Sequence, residues 1–257
     1  MKIKTKQHKF IELLEKLSLD GIYPMSTITV TKKKDKTYLH SIQKAEGAMT
    51  IRYLKVNASY FDELEPSDKS IDIEIPRFMK VIKNVSSDTD ITMKLEGEKV
   101  SLDLGKAKPR LSYTQPENVL TKLPLKVEDG IPKFGKKKFP LDTQLTMTLI
   151  ELKDIVSYAK SIEAEFYEFI ATNKSLNVRI GDINNIDDYV PYDSEATLTK
   201  GDTLDVIYSY GIKEISNTFS QNSMTINCGN DRPAWIYEKT DDYILGVAIP
   251  PKIREEE

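Results

Sequence analysis

The stretch from Gln115 to Leu141, QPENVLTKLPLKVEDGIPKFGKKKFPL, constrains the fold most, because the chain on either side of it repeats one plan. It holds four prolines and two glycines, shows neither a helical nor an alternating apolar period, and exceeds an ordinary loop in length. Such a segment is either a disordered linker or a functional connector.

Before the connector, Lys6 to Leu19 reads as an amphipathic helix. Phe10, Leu13, Leu14 and Leu17 lie on one side, with Lys9, Glu12, Glu15 and Lys16 on the other. Thr27 to Thr31 and Thr37 to Ile42 flank a lysine-rich turn, Lys32 to Lys36, and predict a hairpin of β-branched and aromatic residues. Ala48 to Val56 and Ile71 to Ile75 continue the strand pattern around an acidic loop, Asp62 to Asp68. Pro76 suits a first helical position, and Arg77 to Val85 follows with Phe78, Met79, Ile82 and Val85 turned one way and Arg77, Lys80 and Lys83 the other. Asp90 to Leu95 and Val100 to Leu104 predict a second hairpin.

After the connector the order recurs. Thr148 is a suitable N-cap for a helix over Leu149 to Ile162, whose apolar face is Leu149, Leu152, Ile155, Val156, Ala159 and Ile162. Phe166 to Thr172, Ser175 to Gly181 and Thr203 to Tyr208 predict strands. Ser209 to Phe219 predicts a fourth helix with Gly211 inside it, and three strands close the chain. The repeated helix–sheet–helix–sheet order predicts an α+β fold of two duplicated domains of antiparallel sheet, each with two helices. The boundaries are 1–114 and 142–257, with 115–141 as interdomain connector.

The chain lacks the features of an enzyme. It has one cysteine, Cys228, and two histidines, His8 and His40, too few for a cysteine or histidine metal site. Gly135-Lys-Lys-Lys138 lacks the upstream glycine and the hydroxyl of a phosphate-binding loop, and no Gly-x-Gly-x-x-Gly run occurs. The carboxylates are scattered, and Asp182 to Asp193 reads as a solvated acidic loop. No catalytic residue, cofactor or metal is expected. No apolar run approaches the roughly 20 residues of a membrane span, and MKIKTKQHKF lacks the apolar core of a signal peptide, so an intracellular protein without a membrane partner is expected.

A formal charge of −3 means that any contact with nucleic acid must come from a local basic face. A single basic stripe is what any amphipathic helix shows to solvent. Here each predicted helix carries one: Lys9 and Lys16, then Arg77, Lys80 and Lys83, then Lys153 and Lys160, then Lys213. Were the four helices to share a surface, it would attract phosphate without reading bases.

Four motifs add a resemblance that covers essentially the whole chain. Gly130-Ile131-Pro132 in the connector, Met79-Lys80-Val81-Ile82-Lys83 in the second helix, Asn230-Asp231-Arg232-Pro233, and Ala248-Ile249-Pro250-Pro251-Lys252-Ile253 ahead of an acidic tail resemble PCNA, the sliding clamp of archaeal and eukaryotic replication. The resemblance implies a two-domain protomer of a closed head-to-tail trimer that encircles duplex DNA without sequence preference. It implies a clamp loader, and DNA polymerase and other replication and repair proteins as partners. It implies a cytoplasmic location in an archaeon and a nuclear one in a eukaryote. Lys80 and Lys83 match basic positions of the family, whereas the other cations are placed by helix face alone. Partner motifs would meet Ile42, Val127, Gly130, Ile131, Pro132, Pro233, Ala248, Ile249 and Pro250. Ile42-Gln43 stands where the family has Met-Asp, and Ile249-Pro250-Pro251 where it has Ala-Pro, departures that a divergent or viral member would fit. A subunit of a checkpoint-type heterotrimer, or a monomeric interaction adaptor without DNA binding, are the alternative expectations.

Overall fold

The computed structural model describes residues 1–45, 50–97, 99–113, 125–128, 131–134, 137–138, 141–172, 175–182, 185–209 and 211–252. The chain divides into two units, one of Met1–Gln43, Arg52–Leu123 and Thr240–Leu245, the other of Lys44–Ile51, Pro124–Lys239 and Gly246–Glu257. Two short segments, 44–51 and 240–245, thus belong to the unit opposite to the one their place in sequence suggests.

The first unit runs β1 (Lys2–Lys6), α1 (Gln7–Ser18), β2 (Met25–Lys33), β3 (Lys36–Lys44), β4 (Ile51–Asn57), β5 (Glu63–Glu65), β6 (Ile71–Glu74), α2 (Ile75–Ile82), β7 (Asp90–Glu96), β8 (Lys99–Asp103) and β9 (Arg110–Ser112). Its strands lie in the orders β5-β1-β7-β8-β9 and β4-β3-β2-β6. β1, too short and too rich in lysine to stand out by pattern, is drawn in by pairing on both sides, Ile3 opposite Leu64 and opposite Met93. Phe10, Leu13, Leu14 and Leu17 of α1 are buried, and each contributes about 1.5–3 kcal/mol of apolar burial. Ile75, Phe78 and Ile82 of α2 join them, and α2 lies against α1.

The connector contains backbone strands β10 (Leu125–Glu128), β11 (Ile131–Phe134) and β12 (Lys137–Lys138) in antiparallel sequence, with Val127 opposite Pro132. The absence of an alternating apolar pattern therefore does not exclude strand there.

The second unit runs β13 (Thr143–Thr148), α3 (Leu149–Ser161), β14 (Phe166–Thr172), β15 (Ser175–Asp182), β16 (Asn185–Ser194), β17 (Thr197–Lys200), β18 (Thr203–Tyr208), α4 (Ile212–Thr218), β19 (Ser223–Cys228), β20 (Ala234–Lys239) and β21 (Tyr243–Ile249). The orders are β17-β13-β19-β20-β21 and β16-β15-β14-β18. Strand for strand these repeat the first unit, so the α+β fold of two duplicated, antiparallel domains with two helices each is what the chain adopts.

Three predicted details differ. Asp182 to Asp193, read as a solvated loop, is largely β16, because a full ladder on β15 from Leu176↔Ser194 to Gly181↔Tyr189 outweighs the poor strand propensity of aspartate. Gly211 lies before α4 as its N-cap, at φ 87, and a Cβ there would overlap Ile249 Cγ2. Ile162, assigned to the apolar face of α3, falls at its C-cap and is 44 % exposed.

Candidate nucleic-acid interface and partner surface

α2 is the most basic helix. Arg77, Lys80 and Lys83 are all exposed, while the opposite side of α2 enters the core. Pro76, predicted at the first helical position, is the second residue of α2, in the first turn where its missing N–H leaves no orphan donor, and Lys83 closes the helix as C-cap, its backbone N–H donating to Met79 O. Two cations in the last turn favour the negative end of the helix dipole.

In the second unit α3 and α4 pack together and expose Lys153, Lys160 and Lys213. Thr148 caps α3 by accepting from Glu151 N at 3.1 Å. Glu151 is itself buried, accepting from Ser194 Oγ at 2.5 Å and from Glu195 N at 2.8 Å. That carboxylate is thereby withdrawn from the surface that Lys153 and Lys160 share with Asp154. Among the described residues no ion pair engages Arg77, Lys80, Lys83, Lys153, Lys160 or Lys213. Uncompensated cations on a rigid helix suit the positioning of a phosphate backbone.

α1 departs from this pattern. Lys16, predicted to be exposed, is only 3 % exposed: its Nζ lies 3.4 Å from Glu12 and 4.4 Å from the ring centroid of Tyr243. Lys9 is half-buried, its Nζ donating to Tyr60 O at 3.2 Å and lying 5.2 Å from the Tyr60 ring centroid. Helical period fixes which side these lysines share but not what covers that side. Here Tyr60 and the returning segment 240–245 cover it, so the exposed cations belong to α2, α3 and α4.

The residues assigned to partner binding are more dispersed. Ile42 is half-buried on β3 of the first unit, beside Gln43, whose Nε2 donates to Met25 O at 2.6 Å. The others belong to the second unit. Val127 and Ile131 sit on β10 and β11, Pro132 is buried, and Gly130 lies outside the described residues. Pro233 and Pro250 are half-buried and flank β20 and β21. Ala248 is buried, and Ile249, fully buried against Gly211, belongs to the core and presents nothing to a partner.

Among the described residues no group of histidine, cysteine or acidic side chains is placed to hold a metal ion. Cys228 is buried, which pushes its thiol up to about 12 and keeps it protonated and unreactive. His40 lies below its ordinary value, first through burial and then through the charge of Lys55. No helix is long and apolar enough to cross a membrane.

No protein-family model and no curated protein matches the chain. Solved structures do. A. fulgidus PCNA bound to the C-terminal region of FEN-1 superposes with a TM-score of 0.75 at 14% identity, covering 99% of both chains. PCNA from Entamoeba histolytica gives a TM-score of 0.75 at 12% identity over 98% of both chains. A PCNA2–PCNA3 complex from Sulfolobus tokodaii gives 0.73 at 14% identity over 98% of this chain and 99% of that one. At identities this low the likeness is one of architecture, and over nearly its whole length the chain has the fold of a PCNA clamp protomer.

Proposed function

We propose that the chain is a subunit of a DNA sliding clamp, a polymerase processivity factor that encircles duplex DNA and performs no chemistry of its own. The observation that carries this reading is the set of six exposed cations on α2, α3 and α4, without an ion pair among the described residues and present in both duplicated units of a chain whose net charge is −3. A closed ring cannot leave a duplex sideways, so weak lysine contacts suffice, and their weakness permits sliding. The likeness to a PCNA bound to a peptide of FEN-1 supports tethering of replication and repair proteins through short motifs, with Pro233 and Pro250 of the second unit as accessible contacts. A clamp loader would open the ring.

Self-association is head to tail in this reading. β9 and β16 each end a sheet order and offer unpaired backbone. By sequence β9 holds Arg110 just after Lys106 and Lys108 and β16 is acidic, and segments of opposite formal charge suit a heterologous, ring-forming contact. The likeness to a complex of two different PCNA chains supports a second form, a heteromeric ring in which this chain is one member.

Charge reversal of Arg77, Lys80 and Lys83 to Glu tests the central claim. Polymerase processivity on primed DNA should collapse while circular dichroism stays that of the parent, and unchanged processivity would refute the clamp. Light scattering on the isolated chain separates the two ring forms: a trimer indicates self-closure, a monomer or dimer the heteromeric ring.

A further inference from the structure

The β2–β3 hairpin concentrates positive charge. Lys32, Lys33, Lys34 and Lys36 are all exposed in a molecule that is acidic as a whole. Lys34 and Asp35 form the turn, both left-handed at φ 46 and 63, a conformation that two-residue hairpins usually assign to Asn-Gly. Lys33 and Lys36 face each other in register, where like charges are destabilising. Neither choice helps the hairpin to form. The sequence between the equivalent strands β14 and β15, Asn173-Lys174, holds a single lysine, so the fold does not require the cluster. A sequence that breaks local rules without structural gain marks a functional position.

Strand alternation places Lys33 and Lys36 on the face that carries Thr31 and Tyr38. Lys55 of β4 joins that face, its Nζ 4.8 Å from the Tyr38 ring centroid, and Tyr38 in turn lies 5.7 Å from the ring of His40. The other face of these strands meets α1: Ser26 Oγ donates to Leu17 O at 2.9 Å, and Arg52 reaches the same carbonyl. The basic patch and α1 therefore lie on opposite sides of β2–β4. Among the described residues no ion pair reaches any of the five lysines. The only exposed large apolar residue of the hairpin, Met25, is at the far end of β2.

We infer that Lys33, Lys36 and Lys55, with Lys32 and Lys34 at the tip, form a contact for the phosphate backbone of nucleic acid, separate from the helix cations. An acidic protein partner fits less well. Protein interfaces draw their affinity from buried aromatic and apolar anchors and are depleted in lysine, whereas single-sign charge beside hydroxyls and a tyrosine is the make-up of a backbone track.

The test is binding of a short fluorescein-labelled duplex to the full chain by anisotropy, between about 50 and 200 mM salt. In K32Q/K33Q/K34Q/K36Q the slope of log K against log salt should become shallower by about 3–4, since each lost phosphate contact removes about 0.9. Affinity at the low-salt end should fall several-fold. K55Q, which leaves the turn untouched, should lower the slope by about 1, and unfolding curves check that both variants fold. Parental slope and affinity in both variants overturn the inference. So does loss of binding to poly-L-glutamate with duplex binding unchanged, which assigns the patch to an acidic protein. Should R77Q/K80Q/K83Q lose the duplex while the hairpin variants keep it, this inference fails and the clamp stands. Should the hairpin variants lose the duplex while the parent confers no processivity, the clamp fails and the hairpin site stands.

Discussion

Arg52 shows how a single residue departs from what its sequence context announces. It sits within a strand pattern that gives no hint of burial, yet it is fully buried. Its guanidinium donates to Leu17 O at the end of α1 and to Ser41 Oγ at 2.6 Å, and lies 5.1 Å from the Tyr23 ring centroid. Among the described residues no carboxylate balances it. Burial holds it down to about 10, and what keeps it charged is the negative end of α1 together with the face of Tyr23. Arg52→Ala should lower unfolding free energy by about 2–4 kcal/mol in urea, through a cavity and the loss of its hydrogen bonds to Leu17 O and Ser41 Oγ. Arg52→Met, which fills the space without a buried charge, should cost clearly less. The same limit explains Lys16. Spacing gives a residue's side, and only the packed chain gives its cover.

At the scale of elements, helices were the most legible part. Their apolar period placed α1 to within a residue, because four buried side chains repeat on one face. Their ends were read where a capping residue announces them. Thr148 capped α3 as expected, and Thr148→Ala should cost about 1 kcal/mol with the fold retained, measured by chemical denaturation. Where a boundary depends on a distant neighbour it was not legible: Gly211 begins α4 because Ile249 leaves no room for a side chain there. Strands made by pairing alone, such as lysine-rich β1 and aspartate-rich β16, were misread or missed for the same reason. The candidate interface fared likewise. The α2 stripe was readable from a helix free of acids, whereas the grouping of Lys55 with Lys33 and Lys36 needs the neighbourhood of β4 and β3.

For the molecule as a whole, the twofold plan was legible in the order of elements, and the matching strand orders of the two units realise it. The buried phenols have a collective consequence. Burial pushes Tyr53 and Tyr167 up to about 12, raises Tyr23, Tyr60 and Tyr208 as well, and takes Cys228 to about 12. From their ordinary values of 9 to 10 upward, the unfolded chain releases protons that the folded chain keeps. Stability therefore falls as pH rises through that range, by about 1.4 kcal/mol per pH unit for each proton of difference. Arg52, depressed instead of raised, works the other way but is one group against six. The urea midpoint should be lower at about pH 11 than at about pH 8, and a midpoint that holds or rises would contradict the burial of these phenols.

Trp235 is the sole tryptophan, and it lies in the second unit with its indole over Gly246, where any Cβ would collide with the ring. The chain thus carries its own optical label on one half only. Indole emission follows the melting of that half, whereas peptide circular dichroism follows both. Coincident transitions would mean that the duplicated units fold as one cooperative body, and a lag between them would mean that each unfolds on its own.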